Sequence, residues 1–234
     1  MRGTMRAALF FVVGACASAT SGNDRVTVGG DRPDAGVMTM RDAPASVAID
    51  APTQTTPVVD SGTSGGCTTQ MTELLVNGNF DGSGGWQETA IDPAYPIVTG
   101  DALDSYPPDT APNQAWMGGF EQAATDALWQ DVQVPASTTA LALTGVYYVL
   151  TNETTTSSKD TAKVELRTTS GTKLESVLSV NNASTATSWT PLDHTFTTVP
   201  AGQTVRLYLT STNNATNATN FFFDSLSLVA THCD

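Results

Sequence analysis

The sequence predicts an all-β sandwich in residues 67–234, and three features of this region indicate it. Short runs of alternating apolar and polar residues recur along it, and this period of two is typical of strands with one face in a core. Clusters of glycine, asparagine, aspartate and proline separate the runs, as turns do. No run has the 3.6-residue apolar period of an amphipathic helix. A region of this length is large enough to bury a substantial core.

The alternating runs predict about nine or ten strands, the number expected of a β-sandwich. A long loop over residues 92–113 includes one further short strand near Ile97. The other predicted strands lie at residues 71–76, 86–90, 114–117, 128–134, 140–150, 162–168, 173–180, 190–198, 204–212 and 221–229.

The last predicted strand, at residues 221–229, is apolar and aromatic except for one carboxylate near its middle. Strict alternation places Phe222, Asp224, Leu226 and Leu228 on one face. An acid among core-facing apolar residues is costly to bury without a partner. Two interpretations remain open for Asp224: an acid in contact with water at the sheet edge, or a ligand of a structural metal site.

The charge balance excludes two classes of partner. Lys and Arg number 10 against 23 Asp and Glu, which gives a formal net charge of −13. Because a chain this acidic cannot neutralise phosphates, nucleic acid is not an expected partner. A polybasic contact with a membrane surface is excluded for the same reason. The chain also lacks a run of 18 or more apolar residues, the length needed for a membrane-spanning helix.

The first fifteen residues predict a secretory signal peptide. Arg2 and Arg6 form a basic start, and residues 7–13 form a short apolar segment. Residues 13–16, Val-Gly-Ala-Cys, resemble the bacterial lipobox. The resemblance implies that Cys16 is lipidated and becomes the first mature residue, which would anchor the protein to the bacterial cell envelope or surface. The alternative is ordinary secretion, with Cys16 incidental.

Residues 16–66 predict a disordered tether. Asp-Ala and Ala-Pro pairs recur there, glycine and serine crowd its end, and too few apolar residues are present to form a core. A flexible chain of this length reaches roughly 40 Å. The tether would space the folded domain away from the membrane; a spacer of no selected length is the alternative.

Two cysteines bracket the β-region. Cys67 precedes the first predicted strand and Cys233 follows the last. In a sandwich whose ends lie together, one disulfide between them would join both termini of the domain. That connectivity is unambiguous if Cys16 is lipidated.

The sequence lacks the common signatures of catalysis. It has no zinc-protease His-Glu-x-x-His, no Gly-x-Ser-x-Gly, no P-loop and no dinucleotide fingerprint. Its only histidines are His194 and His232, too few for a histidine-rich metal site. Asp193 and His194 are adjacent on a strand and so point to opposite faces. No pair of carboxylates stands out for glycoside hydrolysis, so we expect a non-catalytic protein.

Aromatic side chains on a strand's outer face are candidates for sugar binding, because a sugar ring offers an apolar face and a polar rim. Trp129 is the best candidate, since it alternates away from the apolar residues of its strand and shares a face with Asp131 and Gln133. Tyr148 is the next. Most tryptophans of a sandwich belong to its core, which is the alternative for each. All the candidates considered are Trp86, Trp116, Trp129, Trp189, Tyr147 and Tyr148.

Four segments in order resemble a known family. They are residues 75–81 (LVNGNFD) with Trp86 following, 128–135 (LWQDVQVP), 201–207 (AGQTVRL) and 222–228 (FFDSLSL). Their order and spacing are similar to those of jelly-roll carbohydrate-binding modules of the galactose-binding-like class, over most of residues 70–230. Similar sandwiches are appended to secreted bacterial metalloproteases of the immune inhibitor A type.

The resemblance also implies a calcium site. In that family a calcium ion commonly joins an acid after the first strand to an acid on the last strand, and the matching positions here are Asp81 and Asp224. The family usually has Glu at the position of Asp81, and often a second Asp at the position of Ser225. Calcium takes six to eight oxygen ligands, so loop carbonyls or further acids would have to join them.

These observations together predict a lipid-anchored, non-catalytic protein of the cell surface. Its jelly-roll module would recognise a glycan or another surface polymer. Two alternatives stay open: a structural or protein-interaction sandwich that binds no sugar, and an uncharacterised hydrolase.

Overall fold

The computed structural model describes residues 67–100, 107–186 and 188–233. The predicted signal peptide at residues 1–15, the predicted tether at residues 16–66 and the lipidation site Cys16 lie outside the described residues. Nothing helical that is long and apolar enough to cross a membrane is found in the described part of the chain.

The described residues form eleven strands and no helix. The predicted all-β fold is therefore confirmed, and the eleven strands correspond in number to the eleven runs named above, although the estimated count was about nine or ten. The strands are β1 (Thr69–Glu73), β2 (Gln87–Thr89), β3 (Val98–Thr99), β4 (Gln114–Gly118), β5 (Ala124–Gln133), β6 (Thr138–Thr151), β7 (Thr161–Thr168), β8 (Lys173–Asn181), β9 (Thr190–Thr195), β10 (Thr204–Asn213) and β11 (Thr219–Cys233).

The strands form two antiparallel sheets. The six-stranded sheet has the order β3-β4-β11-β6-β9, with β1 paired to the end of β11; the five-stranded sheet has the order β2-β5-β10-β7-β8. From β4 onward the pairs are nested: β4 with β11, β5 with β10, β6 with β9 and β7 with β8. Nested pairs divided between two sheets describe a long hairpin rolled on itself, so this topology is a jelly roll.

The core lies between the two sheets. The five-stranded sheet contributes alternate residues of β5, β7 and β10, such as Leu128, Leu166 and Leu207, all fully buried. The six-stranded sheet contributes aromatic and aliphatic residues of β6 and β11, such as Leu143 and Phe221. Since β10 and the second half of β5 bury every second residue, the five-stranded sheet also has an outer face, and the side chains there are free to serve function.

A β-bulge in β11 changes which residues of this strand share a face. Ser225 has a positive φ of 54°, and the register against β6 shifts between Asp224 and Ser227. Phe222 therefore packs on the outer face of the six-stranded sheet, while Leu226 packs in the core. The prediction that Phe222, Asp224 and the two following leucines share one face is wrong, because the bulge inserts an extra residue between them.

The predicted disulfide is present. Cys67 and Cys233 are bonded, with their Cα atoms 5.1 Å apart. The bond lies where β1 pairs with the end of β11, with Thr69 opposite Cys233. β11 extends to Cys233 rather than to the predicted residue 229, because β1 and β6 both pair with its last residues. The two ends of the domain are thus joined at one edge.

Candidate functional site

The outer face of the five-stranded sheet presents the predicted ligand-binding residues of β5. Leu128 and Val132 point into the core, so Trp129, Asp131 and Gln133 point outward. Trp129 is half-buried, whereas Asp131 and Gln133 are exposed. The alternation read from the sequence therefore placed these three side chains correctly on one face.

Strand pairing extends this face into two rows of side chains. The first row crosses four strands, because Gln87 pairs with Trp129, Trp129 with Tyr208, and Tyr208 with Glu165. The ring centroids of Trp129 and Tyr208 are 6.2 Å apart, a packing distance for tilted aromatic rings. These two rings form an aromatic surface flanked by an amide on one side and a carboxylate on the other.

The second row consists of Asp131, Arg206 and Arg167, on β5, β10 and β7. Arg206 donates from Nε and Nη2 to the two oxygens of Asp131, at 2.7 and 2.9 Å. This hydrogen bond raises the pKa of Arg206 above its ordinary value. Its guanidinium carbon also lies 5.3 Å from the ring centroid of Trp129. One arginine thus holds the carboxylate and the indole in a fixed relation.

Arg167 repeats this arrangement at the second aromatic ring. Its Nε and Nη2 donate to Oε2 of Glu165 at 2.8 and 2.6 Å. Its guanidinium carbon is 3.9 Å from the ring centroid of Tyr208, within cation–π range. Each ring of the aromatic surface therefore has an arginine beside it, and each arginine is paired with a carboxylate.

Two further polar groups of β5 lie on this face. The Gln133 side-chain oxygen accepts a hydrogen bond from the Thr204 hydroxyl at 2.8 Å, and its amide donates to the carbonyl of Val134 at 3.1 Å. The indole Nε1 of Trp129 is buried and bonds to none of the described residues. A buried donor with no partner is uncommon in folded proteins.

Tyr148, the other predicted ligand-binding residue, lies elsewhere. It is buried on the outer face of the six-stranded sheet, in a cluster with Trp116 and Phe222, and Trp189 packs against it with ring centroids 6.2 Å apart. The core separates this cluster from Trp129. The structure therefore does not bring Tyr148 together with Trp129, Asp131 and Gln133.

The remaining aromatic candidates serve packing. Trp86 packs against Phe80 and the core, and its Nε1 donates to the carbonyl of Asn77 at 2.8 Å. The Nε1 of Trp116 donates to the side chain of Asn220 at 2.8 Å, and Tyr147 packs against the core. The alternative of a core tryptophan thus holds for Trp86, whereas Trp116 is buried in the outer-face cluster with Tyr148 and Phe222.

Asp224 is fully buried, under the segment that precedes β4. One oxygen accepts the Thr110 N–H at 2.9 Å, and the other accepts the Ser225 N–H at 2.6 Å and the Thr110 hydroxyl at 3.3 Å. Burial raises the pKa of Asp224 to about 6, although these hydrogen bonds act to lower it, and the nearby charge of Asp109 also raises it. Asp224 is therefore neither at a wet sheet edge nor left without partners.

Asp81 bonds to the same segment at a different residue. It accepts the Asn113 N–H at 2.9 Å and the side-chain amide of Asn79 at 2.9 Å. Within the described parts of the chain, no hydrogen bond links it to Asp224, and the two acids share no hydrogen-bond partner.

The donor atoms at this corner are of the kind calcium prefers. Asp224 and Asp109 both bond to Ser225, Asp109 by accepting its hydroxyl at 2.8 Å, so two carboxylates lie around one residue. Carboxylate and carbonyl oxygens are calcium's usual ligands. Among the described residues, however, no three His, Cys, Asp or Glu side chains form a group that could hold a metal ion. A calcium ion here would rely on Asp224, and Asp109 is a second acid that bonds to the same Ser225.

The sequence analysis missed four residues of the candidate site: Tyr208, Arg206, Glu165 and Arg167. The alternation of β7 and β10 puts all four on outer faces, and that signal was readable. Whether these four residues lie near Trp129 depends on which strands are neighbours in the sheet. β10 lies between β5 and β7 in the jelly roll, although the three strands are far apart along the chain.

No family model matches the chain, and no curated protein matches it either. Several solved structures are similar to it. The module TmCBM61 in complex with β-1,4-galactotriose is 14% identical with a TM-score of 0.48, over 67% of this chain and 97% of that one. A family 16 carbohydrate-binding module is 19% identical with a TM-score of 0.42, over 66% and 98%.

A third similar structure is the C-terminal family 22 carbohydrate-binding module of Clostridium thermocellum Xyn10B. It is 16% identical with a TM-score of 0.40, over 68% of this chain and 91% of that one. All three similarities are weak.

Proposed function

We propose that the described domain is a non-catalytic carbohydrate-binding module, and that its ligand lies on the outer face of the five-stranded sheet. The observation that supports this most directly is the aromatic pair Trp129–Tyr208, set beside two arginine–carboxylate pairs. The apolar face of a sugar ring packs on aromatic rings, and its hydroxyls need donors and acceptors at the rim. This face offers both within two adjacent rows.

The side chains of the site are held in position before a ligand binds. Asp131 and Glu165 are each held by two N–H donors of an arginine, and the arginines are held in turn against Trp129 and Tyr208. Side chains already fixed lose less conformational entropy on binding, which favours affinity.

The test is binding to a panel of soluble polysaccharides, measured by affinity gel electrophoresis and calorimetry. Trp129→Ala should weaken binding by about 2 kcal/mol, roughly thirtyfold, as the loss of a central aromatic contact does. Trp189→Ala, on the other sheet, is the matched control and should bind as the wild type does. If the two variants bind equally well, or if the folded wild type binds no polysaccharide, the proposal is wrong.

We also propose that the module is displayed at the bacterial cell surface by a lipid on Cys16, with residues 16–66 as its tether. The support is the lipobox-like sequence at residues 13–16 after a basic and apolar leader. Cys16→Ser should release the protein from the membrane fraction. An unmodified mature N-terminus in the wild type, measured by mass spectrometry, would contradict the anchor.

A calcium ion at the corner of Asp224 is likewise a proposal. It is supported by the two carboxylates that bond to Ser225 and by the burial of Asp224. Asp224 would hold it, with Asp81, which the resemblance implies, and Asp109, which bonds to the same Ser225, as the candidate second acids. Its role would be to stabilise the fold rather than to take part in binding.

A further inference from the structure

The lysines and arginines of the domain are concentrated on one face. Lys163, Arg167, Lys173 and Arg206 account for every lysine and arginine of the described residues except Lys159. All four lie on the outer face of the five-stranded sheet. Arg206 on β10 pairs with Arg167 on β7, and Arg167 pairs with Lys173 on β8. Lys163 lies two residues before Glu165 on β7 and therefore shares its face. Arg206 and Arg167 belong to the proposed sugar site, and Lys163 and Lys173 lie on its β7–β8 side.

The acids of this face are already neutralised. Asp131 is paired with Arg206, and Glu165 with Arg167. Lys163 and Lys173 are exposed, and their side chains form no ion pair or hydrogen bond with the described residues. Two positive charges are therefore left over on this face, within a chain whose 23 acidic residues outnumber its 10 basic ones.

The spacing of these charges suits a chain of sugars. Neighbouring strands lie about 4.8 Å apart and alternate residues of a strand about 7 Å apart. Lys163 is two strands from Trp129 and one row along, and Lys173 is three strands away and one row along in the opposite direction. Their Cα atoms therefore lie roughly 12 and 16 Å from that of Trp129. A short oligosaccharide stacked on Trp129 and Tyr208 would extend across the sheet as far as both lysines.

The negative charge of the rest of the molecule makes this face the one that would attract an anionic polymer. Screening confines electrostatic effects to about 8–10 Å at physiological salt, so a bound polymer responds mainly to the charges of the face it touches. A negatively charged polymer would be repelled by most of this acidic surface and attracted only here.

We infer that the ligand of this site is an acidic glycan, whose rings stack on Trp129 and Tyr208 while its carboxylate or sulfate groups meet Lys163 and Lys173. The inference rests on the proposed function and specifies its ligand class. Carboxylate and sulfate share the chemistry that a lysine recognises, and the experiment separates them.

The test compares polymers that differ in charge but not in backbone, using the full mature chain. Polygalacturonate is compared with its fully methyl-esterified form, and a sulfated galactan with its desulfated form. We expect the acidic member of at least one pair to bind more tightly at low salt and to lose this advantage in 0.5 M salt. The pair that shows the difference identifies carboxylate or sulfate as the recognised group.

The double variant Lys163→Gln/Lys173→Gln should weaken binding of the acidic polymer about fivefold, the effect of two exposed charge pairs, and leave the neutral polymer unaffected. Lys159→Gln, outside these rows, is the matched control and should change neither. Equal binding of acidic and neutral forms, or an unaltered double variant, overturns this inference while the proposed function stands. Binding of neither form of any backbone overturns both.

Discussion

Arg206 determines the geometry of the candidate site more than any other residue. It bonds to both oxygens of Asp131 and lies over the ring of Trp129, so it positions an acceptor group and a stacking surface together. A lysine could not replace it, because an ammonium has no planar fork to engage two oxygens while stacking on an indole. Arg167 does the same for Glu165 and Tyr208.

At the scale of single residues, Asp224 is the basis of a prediction that calcium stabilises the fold. An ion bound only by the folded state stabilises it by about 2.7 kcal/mol at a hundredfold excess over its dissociation constant. We expect EDTA to lower the melting temperature and calcium to restore it. Asp224→Asn should melt at one temperature in both conditions, because it removes the buried carboxylate that the ion would bind.

Asp193→Asn, an exposed acid on β9, is the control for that experiment and should keep the wild-type response to calcium. Identical melting curves of the wild type in EDTA and in millimolar calcium would mean that the hydrogen bonds from Thr110 and Ser225 alone satisfy Asp224.

At the level of elements, one carboxylate connects the two sheets at their shared edge. Glu175 on β8 accepts hydrogen bonds from the N–H groups of Thr197 and Thr198, from the Thr197 hydroxyl and from His194. These residues belong to β9 or follow it directly. This explains why β9 ends at Thr195 rather than at the predicted residue 198: the chain turns there toward Glu175.

The bonds to Glu175 give a prediction on pH. Burial alone would raise the pKa of Glu175, but the hydrogen bonds from Thr197, His194 and Thr198 lower it below the ordinary value of 4.5. A carboxyl with a lowered pKa in the folded state stabilises the protein above its unfolded pKa, and this stability is lost as the pH falls through the folded value. Thermal unfolding should therefore become easier from about pH 4.5 downward.

Glu175→Gln isolates this contribution from that of the other acids. The variant should unfold at a lower temperature than the wild type at pH 7, and the difference should shrink toward pH 3. A difference that is the same at both pH values would show that the charge of Glu175 contributes nothing to stability.

Alternation predicted most strands and the outward position of Trp129, Asp131 and Gln133, because a period of two is a local property of a strand. It failed at Ser225. The bulge there depends on one non-glycine residue with a positive φ, which no pattern of apolar residues reveals. The alternation therefore assigned Asp224 and the leucines that follow it to one face, which the bulge divides.

At the scale of the whole molecule, the jelly roll creates the site by bringing distant strands together. Trp129 and Tyr208 are adjacent only because β5 and β10 form one of the nested pairs. The family resemblance predicted the jelly roll, but the assignment of partners across each sheet needs the register of every pair. For that reason the sequence indicated half of the aromatic surface and neither of its arginines.

The disulfide acts at this scale too. Cys67 and Cys233 are 166 residues apart in sequence. Closing so long a loop lowers the entropy of the unfolded chain, which stabilises the folded state by up to about 5 kcal/mol in the entropic model.

Reduction of the disulfide should lower the melting temperature, and Cys67→Ser/Cys233→Ser should melt where the reduced wild type does. The folded, oxidised domain should contain no thiol at these two positions that reacts with Ellman's reagent. An unchanged melting temperature after complete reduction would mean that β1 is held by pairing with β11 alone.

The most direct test of the central claim is a crystal structure of the protein with the tightest-binding oligosaccharide of the panel. We predict sugar rings over Trp129 and Tyr208 on the outer face of the five-stranded sheet, with hydroxyls bonded to Asp131, Arg206 or Glu165. A ligand on the outer face of the six-stranded sheet, beside Tyr148 and Trp189, or only at the loops, would contradict the account.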